Sequence, residues 1–460
     1  MREDDTIAAI VTPPGRGGVG IIRVSGSRAE EACRPLFIPS RPCRFFRSHH
    51  LYHGWIHSVR TGKRLDEVLF TVMRMPRSYT GEDTVEINCH GSPVILQTVL
   101  DELCEARVRL AEPGEFTRRA FLNGRLDLSQ AEAVIDIITA KTTEGLSLAL
   151  DQFSGSISSQ TKDLRTLILG MMALLDGSID FGDDESDLTI NRCELLATAD
   201  KAIEKIGCLL AHYRDGRLYH EGFSALITGR PNVGKSSLLN VLVGDDRSIV
   251  SPTPGTTRDV IEQPVAIDGL PVTFIDTAGI RESEDLVERE GVDRVWKKVR
   301  QADIVIIVID GSQSLTEEDR RIIDRCGGKN ILAVLNKGDL PRKVDEEEAR
   351  KLLRQSDPLW ISAKYGDGID NLRKMIRRIV TGSTEREADC AIVTNLRHKQ
   401  SLEKALCMVR SAKENIDAGK SPEFAALDMR EALDSLEAII GIATSEDVLS
   451  EIFSRFCIGK

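Results

Sequence analysis

The sequence predicts a multidomain fold of α+β and α/β class, in which a parallel-sheet module is inserted into a helical domain. Three observations lead to this prediction. The chain has 460 residues, and one hydrophobic core rarely grows beyond about 250–300 residues. Apolar runs suited to buried parallel strands alternate with helical segments between residues 223 and 361. Helical periodicity both precedes and follows this block, so the block is predicted to be an insertion.

The composition is that of a soluble globular protein, with 41% hydrophobic and 29% charged residues. The net charge of −11 argues against a surface that coats nucleic acid, because phosphate binding needs clustered Lys and Arg. The ten cysteines include no C-x-x-C pair. We therefore expect neither a zinc site nor a disulfide framework, and a cytoplasmic location. The acidic N-terminus does not have the pattern expected of a signal peptide, and no apolar run is long enough to predict a membrane span.

Residues 1–118 are predicted to form a mixed α/β domain. Short β-like runs occur at 7–11, 21–24, 67–72 and 84–87. The pattern Gly15-x-Gly17-x-x-Gly20 matches the dinucleotide-binding fingerprint. A helix must follow that fingerprint, yet the next residues are β-branched and stop at Ser25-Gly26. The sequence therefore excludes a dinucleotide site here.

Residues 119–215 and 383–460 are predicted to form one discontinuous helical domain, with the inserted module at 216–382. Ser129 and Glu132 have the spacing of a capping box at a helix start. The last helix is predicted to bury one face, formed by Val448, Leu449, Ile452, Phe453 and Phe456.

Residues 229–236, Gly-Arg-Pro-Asn-Val-Gly-Lys-Ser, match the phosphate-binding pattern G-x-x-x-x-G-K-[ST] between a strand and a helix. Backbone N–H groups of such a loop wrap phosphates, and the helix N-terminus adds its positive end. We expect Lys235 to reach the β- and γ-phosphates and the Ser236 hydroxyl to ligate Mg²⁺. The predicted nucleotide contacts in this loop are Asn232, Val233, Gly234, Lys235, Ser236 and Ser237.

The segment Asp276-Thr277-Ala278-Gly279 ends a second strand and is also predicted to contact the nucleotide. Asp276 is placed to hold Mg²⁺ through water, and the Gly279 N–H to sense the γ-phosphate.

Two further strand ends predict guanine as the base. Asp339, in the run that begins Asn336-Lys337, can accept hydrogen bonds from N1–H and the 2-amino group of guanine, a pair of donors that adenine lacks. Ser362-Ala363-Lys364 suits backbone contact with the guanine O6. These motifs in order predict a P-loop GTPase (Ras-like) domain that binds GTP.

The residue that orients the attacking water is left open by these motifs. Many GTPases place a Gln directly after the Asp-x-x-Gly motif, where this chain has Ile280. The nearby carboxylates remain alternatives for that role: Glu282, Glu284, Asp285, Glu288 and Glu290.

Five further segments occur at 12–20 (TPPGRGGVG), 79–83 (YTGED), 113–123 (PGEFTRRAFLN), 255–259 (GTTRD) and 456–460 (FCIGK). Together they resemble the MnmE (TrmE) family of tRNA-modification GTPases over essentially the whole chain. The GTPase motifs alone are shared with GTPases of translation and ribosome assembly. The N-terminal segments and the Cys-Ile-Gly-Lys end are far more specific.

The resemblance implies a folate-binding and dimerising domain at 1–118, the discontinuous helical domain, and the inserted G domain. It implies a homodimer with transient G-domain pairing, and an FAD-dependent MnmG partner that carries the only FAD. Together the partners would modify C5 of tRNA wobble uridine with a carboxymethylaminomethyl or aminomethyl group. The one-carbon source would be 5-formyl- or 5,10-methylene-tetrahydrofolate. The implied folate contacts are Arg23, Glu86, Arg125 and Lys460, and Cys457 would have a chemical role.

The same resemblance implies a K⁺ ion beside the phosphates. Its ligands would be the Asn232 side chain and the carbonyls of Ser251, Thr253 and Thr256. Thr257 would join Ser236 on Mg²⁺, and Ser251, Thr256 and Thr257 would also contact GTP. Glu288 would be the catalytic residue that orients water.

Two other functions remain open from the sequence. A ribosome-assembly GTPase would fit the G-domain motifs, and an appended basic RNA-binding domain would favour it, but the sequence indicates no such domain. A nucleotide-gated scaffold that barely hydrolyses GTP is compatible with Ile280, whereas Glu288 and the implied K⁺ site argue against it.

Overall fold

The computed structural model describes residues 5–180, 192–244, 264–275, 302–326, 330–352, 357–381 and 391–460. The chain separates into two compact units. Unit 1 comprises the residues up to Ile135 with Phe153–Arg165 and Leu433–Lys460, and unit 2 comprises Asp136–Gln152 and Thr166–Ala432. Sheets and helices occur in both units, which confirms the predicted multidomain α+β and α/β class.

Unit 1 contains a seven-stranded sheet of order β3-β4-β5-β6-β2-β1-β7. Neighbouring strands are antiparallel, except for the parallel pair β1 and β7. The four predicted runs lie in β1, β2, β5 and β6, whereas β3, β4 and β7 have no predicted counterpart. The strands are β1 (Ile7–Ile10), β2 (Gly17–Ser25), β3 (Phe37–Pro39), β4 (Leu51–His57), β5 (Arg64–Met73), β6 (Thr84–Gly91) and β7 (Arg109–Leu110).

The glycine-rich run near the N-terminus leads into a strand. Gly15 has φ 129°, and Gly17 and Gly20 lie in β2, which continues to Ser25. A Cβ on Gly20 would come within 2.5 Å of the Leu96 side chain, so the neighbouring helix packs closely at this point. The strand after the glycine run is confirmed in place of the helix that the dinucleotide fingerprint requires.

Helix α2 (Pro93–Glu105) packs against the sheet of unit 1. Proline suits the first turn of a helix, where its missing N–H has no partner to lose. The buried residues Leu96, Val99, Leu100 and Leu103 recur at helical spacing and form one apolar face. Buried and exposed residues alternate along β5, so the other side of that strand is exposed.

The remaining helices of the N-terminal region are α1 (Ala29–Cys33), followed by a 3₁₀ turn, α3 (Glu115–Leu122) and α4 (Leu128–Thr139). The last helix of the chain is α15 (Glu446–Ser454). Leu449, Phe453 and Phe456 are buried in one cluster with residues of α4, as the predicted apolar face requires.

The predicted capping box of Ser129 and Glu132 is wrong. Oδ1 of Asp127 accepts a hydrogen bond from the backbone N–H of Gln130 at 3.1 Å, and Oε1 of Gln130 accepts one from the Asp127 N–H at 3.0 Å. This reciprocal pair caps α4 two residues earlier than predicted. Ser129 is buried inside the helix, and its hydroxyl lies 2.9 Å from that of Ser158.

The helices that flank the inserted module pack together. Buried residues recur at helical spacing on α7 and on α13, and these two helices are in contact although the module separates them in the chain. Cys208 on α7 is disulfide-bonded, against the expectation from cysteine spacing. The flanking helices are α5 (Thr143–Phe153), α6 (Ser156–Asp180), α7 (Arg192–Ala211), α8 (Tyr213–Glu221), α13 (Leu396–Asp417) and α14 (Pro422–Ile440).

The inserted module contains a six-stranded sheet of order β13-β12-β11-β8-β10-β9. All neighbours are parallel except β9 and β10. The five predicted strands are confirmed, and β9 has no predicted counterpart. The strands are β8 (Phe223–Thr228), β9 (Pro264–Ile267), β10 (Leu270–Ile275), β11 (Ile304–Asp310), β12 (Ile331–Asn336) and β13 (Leu359–Trp360). The helices are α9 (Lys235–Gly244), α10 (Glu317–Arg325), α11 (Glu346–Leu352) and α12 (Ile369–Thr381).

Candidate functional site

The phosphate-binding loop connects β8 to α9, as the sequence predicts. Gly229 and Gly234 have φ of 148° and 99°, a region that strongly favours glycine. A Cβ on Gly229 would lie 2.2 Å from the Val308 carbonyl oxygen, and one on Gly234 would lie 2.2 Å from Nδ2 of Asn336. Both glycines are therefore required by backbone conformation and by close approach.

The two positively charged side chains of this loop, Arg230 and Lys235, both make hydrogen bonds. Nζ of Lys235 donates to the carbonyl oxygens of Gly229 and Arg230, at 2.8 and 2.7 Å. Nε of Arg230 donates to Oδ1 of Asp319 at 2.8 Å, and the Asp319 side chain is only 1% exposed. These contacts hold the loop in its curved shape.

Asn336 joins three loops of the site through its side-chain amide. Its Nδ2 donates to the Val233 carbonyl at 2.8 Å, and its Oδ1 accepts from the Ala363 N–H at 2.9 Å. The Ser362 hydroxyl donates to Oδ1 of Asp339 at 2.7 Å. The sheet thus brings the predicted phosphate-binding and base-binding segments together at the carboxyl ends of β8, β12 and β13.

Lys337 follows Asn336 with φ 64°, in the left-handed region. Its Nζ lies 2.6 Å from Oδ2 of Asp310, whose other oxygen accepts from the N–H and hydroxyl of Ser312. Burial raises the pKa of Asp310, but the hydrogen bonds from Lys337 and Ser312 outweigh burial and lower it. Asp310 is therefore a charged carboxylate at neutral pH.

A cavity of about 610 Å³ lies among these segments. It is lined by eight predicted nucleotide contacts and by three residues without a predicted role. The predicted residues are Asn232, Gly234, Ser237, Asn336, Lys337, Asp339, Ala363 and Lys364, and the others are Asn240, Val241 and Leu340.

A second cavity of about 470 Å³ lies at the opposite end of the same sheet. Phe223, which begins β8, lines it together with Asp303 and Asn330, which precede β11 and β12. Ligands of doubly wound sheets bind at the carboxyl ends of strands. The cavity of about 610 Å³, which lies at the carboxyl ends of the strands, is therefore the better candidate for the nucleotide site.

Several predicted residues lie outside the described part of the chain. This applies to the K⁺ ligands other than Asn232, to the second strand-end motif, and to the implied water-orienting residue. They are Ser251, Thr253, Thr256, Thr257, Asp276, Thr277, Ala278, Gly279 and Glu288.

A second cluster of predicted residues lies on the sheet of unit 1. Arg23 on β2 and Glu86 on β6 are register partners, and Nε of Arg23 donates to Oε1 of Glu86 at 2.8 Å. The Arg23 guanidinium lies 4.9 Å from the Tyr79 ring centre and 5.7 Å from that of Phe116, and the Arg125 guanidinium lies 5.6 Å from Tyr79. Nη1 of Arg23 is buried and makes no hydrogen bond within the described residues.

The C-terminal tail packs on this unit close to Arg23. The Phe116 N–H donates to the carbonyl of Lys460 at 3.2 Å, and a Cβ on Gly459, which has φ 97°, would lie 2.8 Å from the Ile10 carbonyl. Burial lowers the pKa of Lys460, and the nearby positive charge of Arg23 lowers it further. Arg23 and Glu86 therefore both lie within electrostatic range of Lys460.

Cys457 is exposed and carries a free thiol. Its carbonyl accepts hydrogen bonds from the N–H groups of Lys460, at 3.3 Å, and Gly114, at 3.5 Å. The backbone at Cys457 thus helps to hold the tail in place.

Two family models match the chain. The model of the GTP-binding protein TrmE N-terminus matches residues 6–125, and that of the MnmE helical domain matches residues 128–457. The chain is 46% identical over 456 residues to the tRNA modification GTPase MnmE of Syntrophus aciditrophicus, covering 99% of both chains. It is 45% identical over 457 residues to that of Natranaerobius thermophilus, covering 99% of this chain and 100% of the relative.

The chain belongs to the MnmE family of tRNA modification GTPases. The resemblance inferred from the five segments is thereby confirmed. Members of the MnmE family carry the name of a GTPase that acts in tRNA modification, which agrees with the P-loop and base-binding motifs of the module.

Two residues next to the predicted sites could not be assigned a role from the sequence of this MnmE family member. Tyr79 lies in a family segment, yet nothing local indicates that its ring lies near both Arg23 and Arg125. Asp310 ends an apolar strand, and its position at the strand end is the only feature of the sequence that could have identified it.

No helix in the described ranges is long and apolar enough to cross a membrane.

Proposed function

We propose that the chain hydrolyses GTP to GDP in a K⁺-dependent reaction and acts with a MnmG-type, FAD-carrying partner on tRNA. The product would be a carboxymethylaminomethyl or aminomethyl group at C5 of the wobble uridine. The observation that carries the GTP site is the position of Asn336, whose side chain joins Val233 of the phosphate-binding loop to Ala363 of the base-binding loop. One nucleotide can therefore contact both loops.

In this proposal Asp339 reads guanine and Lys235 binds the β- and γ-phosphates. The hydrogen bond from Ser362 orients the Asp339 carboxylate, and Lys364 and Ala363 line the same cavity. A carboxylate can accept from both guanine donors at once, which gives discrimination against adenine. Lys235 would exchange its loop carbonyls for phosphate oxygens.

The residues at the phosphate end fit hard cations, because they offer hydroxyl and amide oxygens. Ser236 is exposed in the first turn of α9, and Asn232, with φ 62°, lines the cavity. We assign Ser236 and Thr257 to Mg²⁺, and Asn232, Ser251, Thr253 and Thr256 to K⁺. The chemistry that these cations supply when bound is neutralisation of charge developing on the phosphates. Glu288 would orient the attacking water.

The cluster on unit 1 fits an anionic ligand with a polar ring, such as a 5-formyl- or 5,10-methylene-tetrahydrofolate. Arg23 carries a buried nitrogen without a hydrogen bond, and burial next to Arg23 lowers the pKa of Lys460. Partly desolvated cations that repel each other favour a carboxylate between them. Arg125 would add a third cation, and Glu86 would accept hydrogen bonds from pterin N–H groups.

The domain with the folate site would also form the homodimer. Ile38, Leu51 and Leu69, on three adjacent strands of its sheet, are 50%, 66% and 42% exposed. Exposed apolar side chains on a sheet face are typical of an interaction surface. The proposal includes transient pairing of G domains, a cytoplasmic location, and domains at 1–118, 119–215, 216–382 and 383–460.

Single-turnover hydrolysis of GTP in KCl tests the enzymatic part of this proposal. Release of phosphate from a stoichiometric GTP complex is the expected result. Tight GTP binding without phosphate release would instead indicate a nucleotide-gated scaffold. Binding of 5-formyltetrahydrofolate, measured by calorimetry on the same preparation, tests the folate site independently.

A further inference from the structure

The segment from the last residue of β11 to the first turn of α10, residues 310–319, carries two buried carboxylates that pair with the two ends of the nucleotide site. We infer that Asp310 and Asp319 are positioning residues, Asp310 for the base end and Asp319 for the phosphate end. The inference rests on the GTP site proposed above and adds two residues to which that proposal gives no role. We call residues 310–319 the brace.

Asp310 connects the brace to the base end. Its side chain is 4% exposed, and Oδ2 lies 2.6 Å from Nζ of Lys337. Its Oδ1 accepts from the N–H and hydroxyl of Ser312, at 3.0 and 2.6 Å, so the carboxylate is fixed on the brace itself. The N–H of Gly311 donates to the carbonyl of Asn336 at 2.8 Å, which ties the same two segments through their backbones.

The ion pair with Asp310 determines where the Lys337 side chain lies. Lys337 lines the cavity, and its backbone is in the left-handed region with φ 64°. With the ammonium held on Asp310, the four-carbon stem of Lys337 stays at the cavity, where it can cover one face of a planar base. If Asp310 loses its charge, the Lys337 ammonium is no longer held, and the stem of Lys337 is then free to leave the cavity.

Asp319 connects the brace to the phosphate end. Its Oδ1 accepts from Nε of Arg230 at 2.8 Å, while Oδ2 accepts from the N–H and hydroxyl of Thr316 in a capping box at the start of α10. The carbonyl of Arg230 also accepts from Lys235. Asp319 thus holds Arg230 in place, and the Arg230 carbonyl in turn accepts the hydrogen bond from Lys235.

The two carboxylates have the same structural setting but hold different loops. Each is almost fully buried, each uses one oxygen to bind its own segment, and each gives the other oxygen to a cation of a nucleotide loop. Removing one partner of a buried ion pair leaves the other charge uncompensated, so the loop that carries that charge should shift. Each substitution is therefore a matched control for the other.

The test measures dissociation constants of the full chain for GTP and for ribose 5′-triphosphate, which has no base. Asp310→Asn should weaken GTP binding about tenfold or more, the loss expected for a hydrogen bond to a charged group, and leave ribose triphosphate binding unchanged. Asp319→Asn should weaken binding of both ligands by a similar factor. Glu317→Gln, which removes an exposed carboxylate from the first turn of α10, should change neither.

Equal losses for both ligands in Asp310→Asn, or unchanged binding of both ligands in Asp319→Asn, would overturn the inference. General destabilisation predicts equal losses for the two ligands in Asp310→Asn as well as in Asp319→Asn. The contrast between ligands that Asp310→Asn alone should show therefore separates positioning at the base end from a merely structural role. Wild-type protein that does not bind GTP would overturn the proposed function as well. Wild-type GTP binding with no contrast between the variants would overturn the positioning roles alone.

Discussion

Nε2 of His220 lies 2.8 Å from Oδ1 of Asp136, and this pair joins α8 to the C-terminal end of α4 within unit 2. His220 lies three residues before Phe223, the residue that begins the first strand of the G-domain sheet. The hydrogen bond to Asp136 raises the pKa of His220, and it outweighs burial, which lowers the pKa. The connection into the G domain therefore contains a protonation-dependent contact.

We predict that His220 stabilises the fold most when it is protonated. Because the folded pKa is raised, this contribution is fully present below the ordinary histidine pKa of 6.5 and is lost as the pH rises through the raised value. The melting temperature of His220→Gln should therefore approach that of the wild type as the pH increases above 6.5. His50→Gln removes an exposed histidine that contacts the Ser48 carbonyl, and it serves as the control. A constant difference between His220→Gln and wild type from pH 5 to about 9 would contradict the prediction.

Base specificity is predicted to depend on Asp339. Asp339→Asn should weaken GTP binding at least about 100-fold and should favour xanthosine triphosphate, because the xanthine 2-oxo group needs a donor opposite it. Competition between the two nucleotides for the purified variant measures this switch. Unchanged GTP affinity would show that guanine is read elsewhere.

Hydrolysis is predicted to require K⁺ and the side-chain oxygen of Asn232. A cation beside the β- and γ-phosphates neutralises developing negative charge, as an arginine finger does. In other GTPases an arginine finger raises the rate of hydrolysis by about 10³–10⁵-fold. Turnover should drop by about this factor when Na⁺ replaces K⁺, and Asn232→Ala should be slow in both salts. Exposed Asn240 lines the same cavity, so Asn240→Ala is the matched control. Equal wild-type rates in the two salts would refute the K⁺ site.

The terminal lysine is predicted to bind folate and not GTP. Lys460→Gln should weaken 5-formyltetrahydrofolate binding about tenfold or more, because a charged hydrogen bond is lost, while GTP affinity stays at the wild-type value. Arg455→Gln changes an exposed residue of the same C-terminal region that pairs with Glu451, and it should leave both affinities unchanged. Wild-type folate affinity in Lys460→Gln would place the tail outside the site.

The sequence predicts the central strands of the G domain, β8, β11 and β12, because they are largely buried on both sides. Every residue of β11 is buried, so its sequence is a continuous apolar run bounded by polar residues. β4 gives a weaker signal, because exposed His53 and buried Gly54 interrupt it. β9 has only four residues and forms an antiparallel edge next to β10, so its existence depends on a pairing that the local sequence does not specify.

The candidate sites were predictable to the extent that their chemistry is local. The phosphate-binding loop is contiguous, whereas Arg23, Tyr79 and Lys460 come together only through sheet pairing and tail packing. The cap of α4 was assigned to the wrong residue because Asp127 and Ser129 each have a capping partner three residues later. Burial of Ser129 against Ser158 decides between them, and burial of that kind is a tertiary property.

Mass spectrometry of tRNA wobble uridines from cells that lack this protein tests the central claim most directly. The account predicts loss of the carboxymethylaminomethyl or aminomethyl group at C5, with recovery when the wild-type chain is supplied. Recovery should fail with the Asp339→Asn chain, which lacks a guanine-reading carboxylate. An unchanged wobble-uridine profile in the cells without the protein would contradict the account.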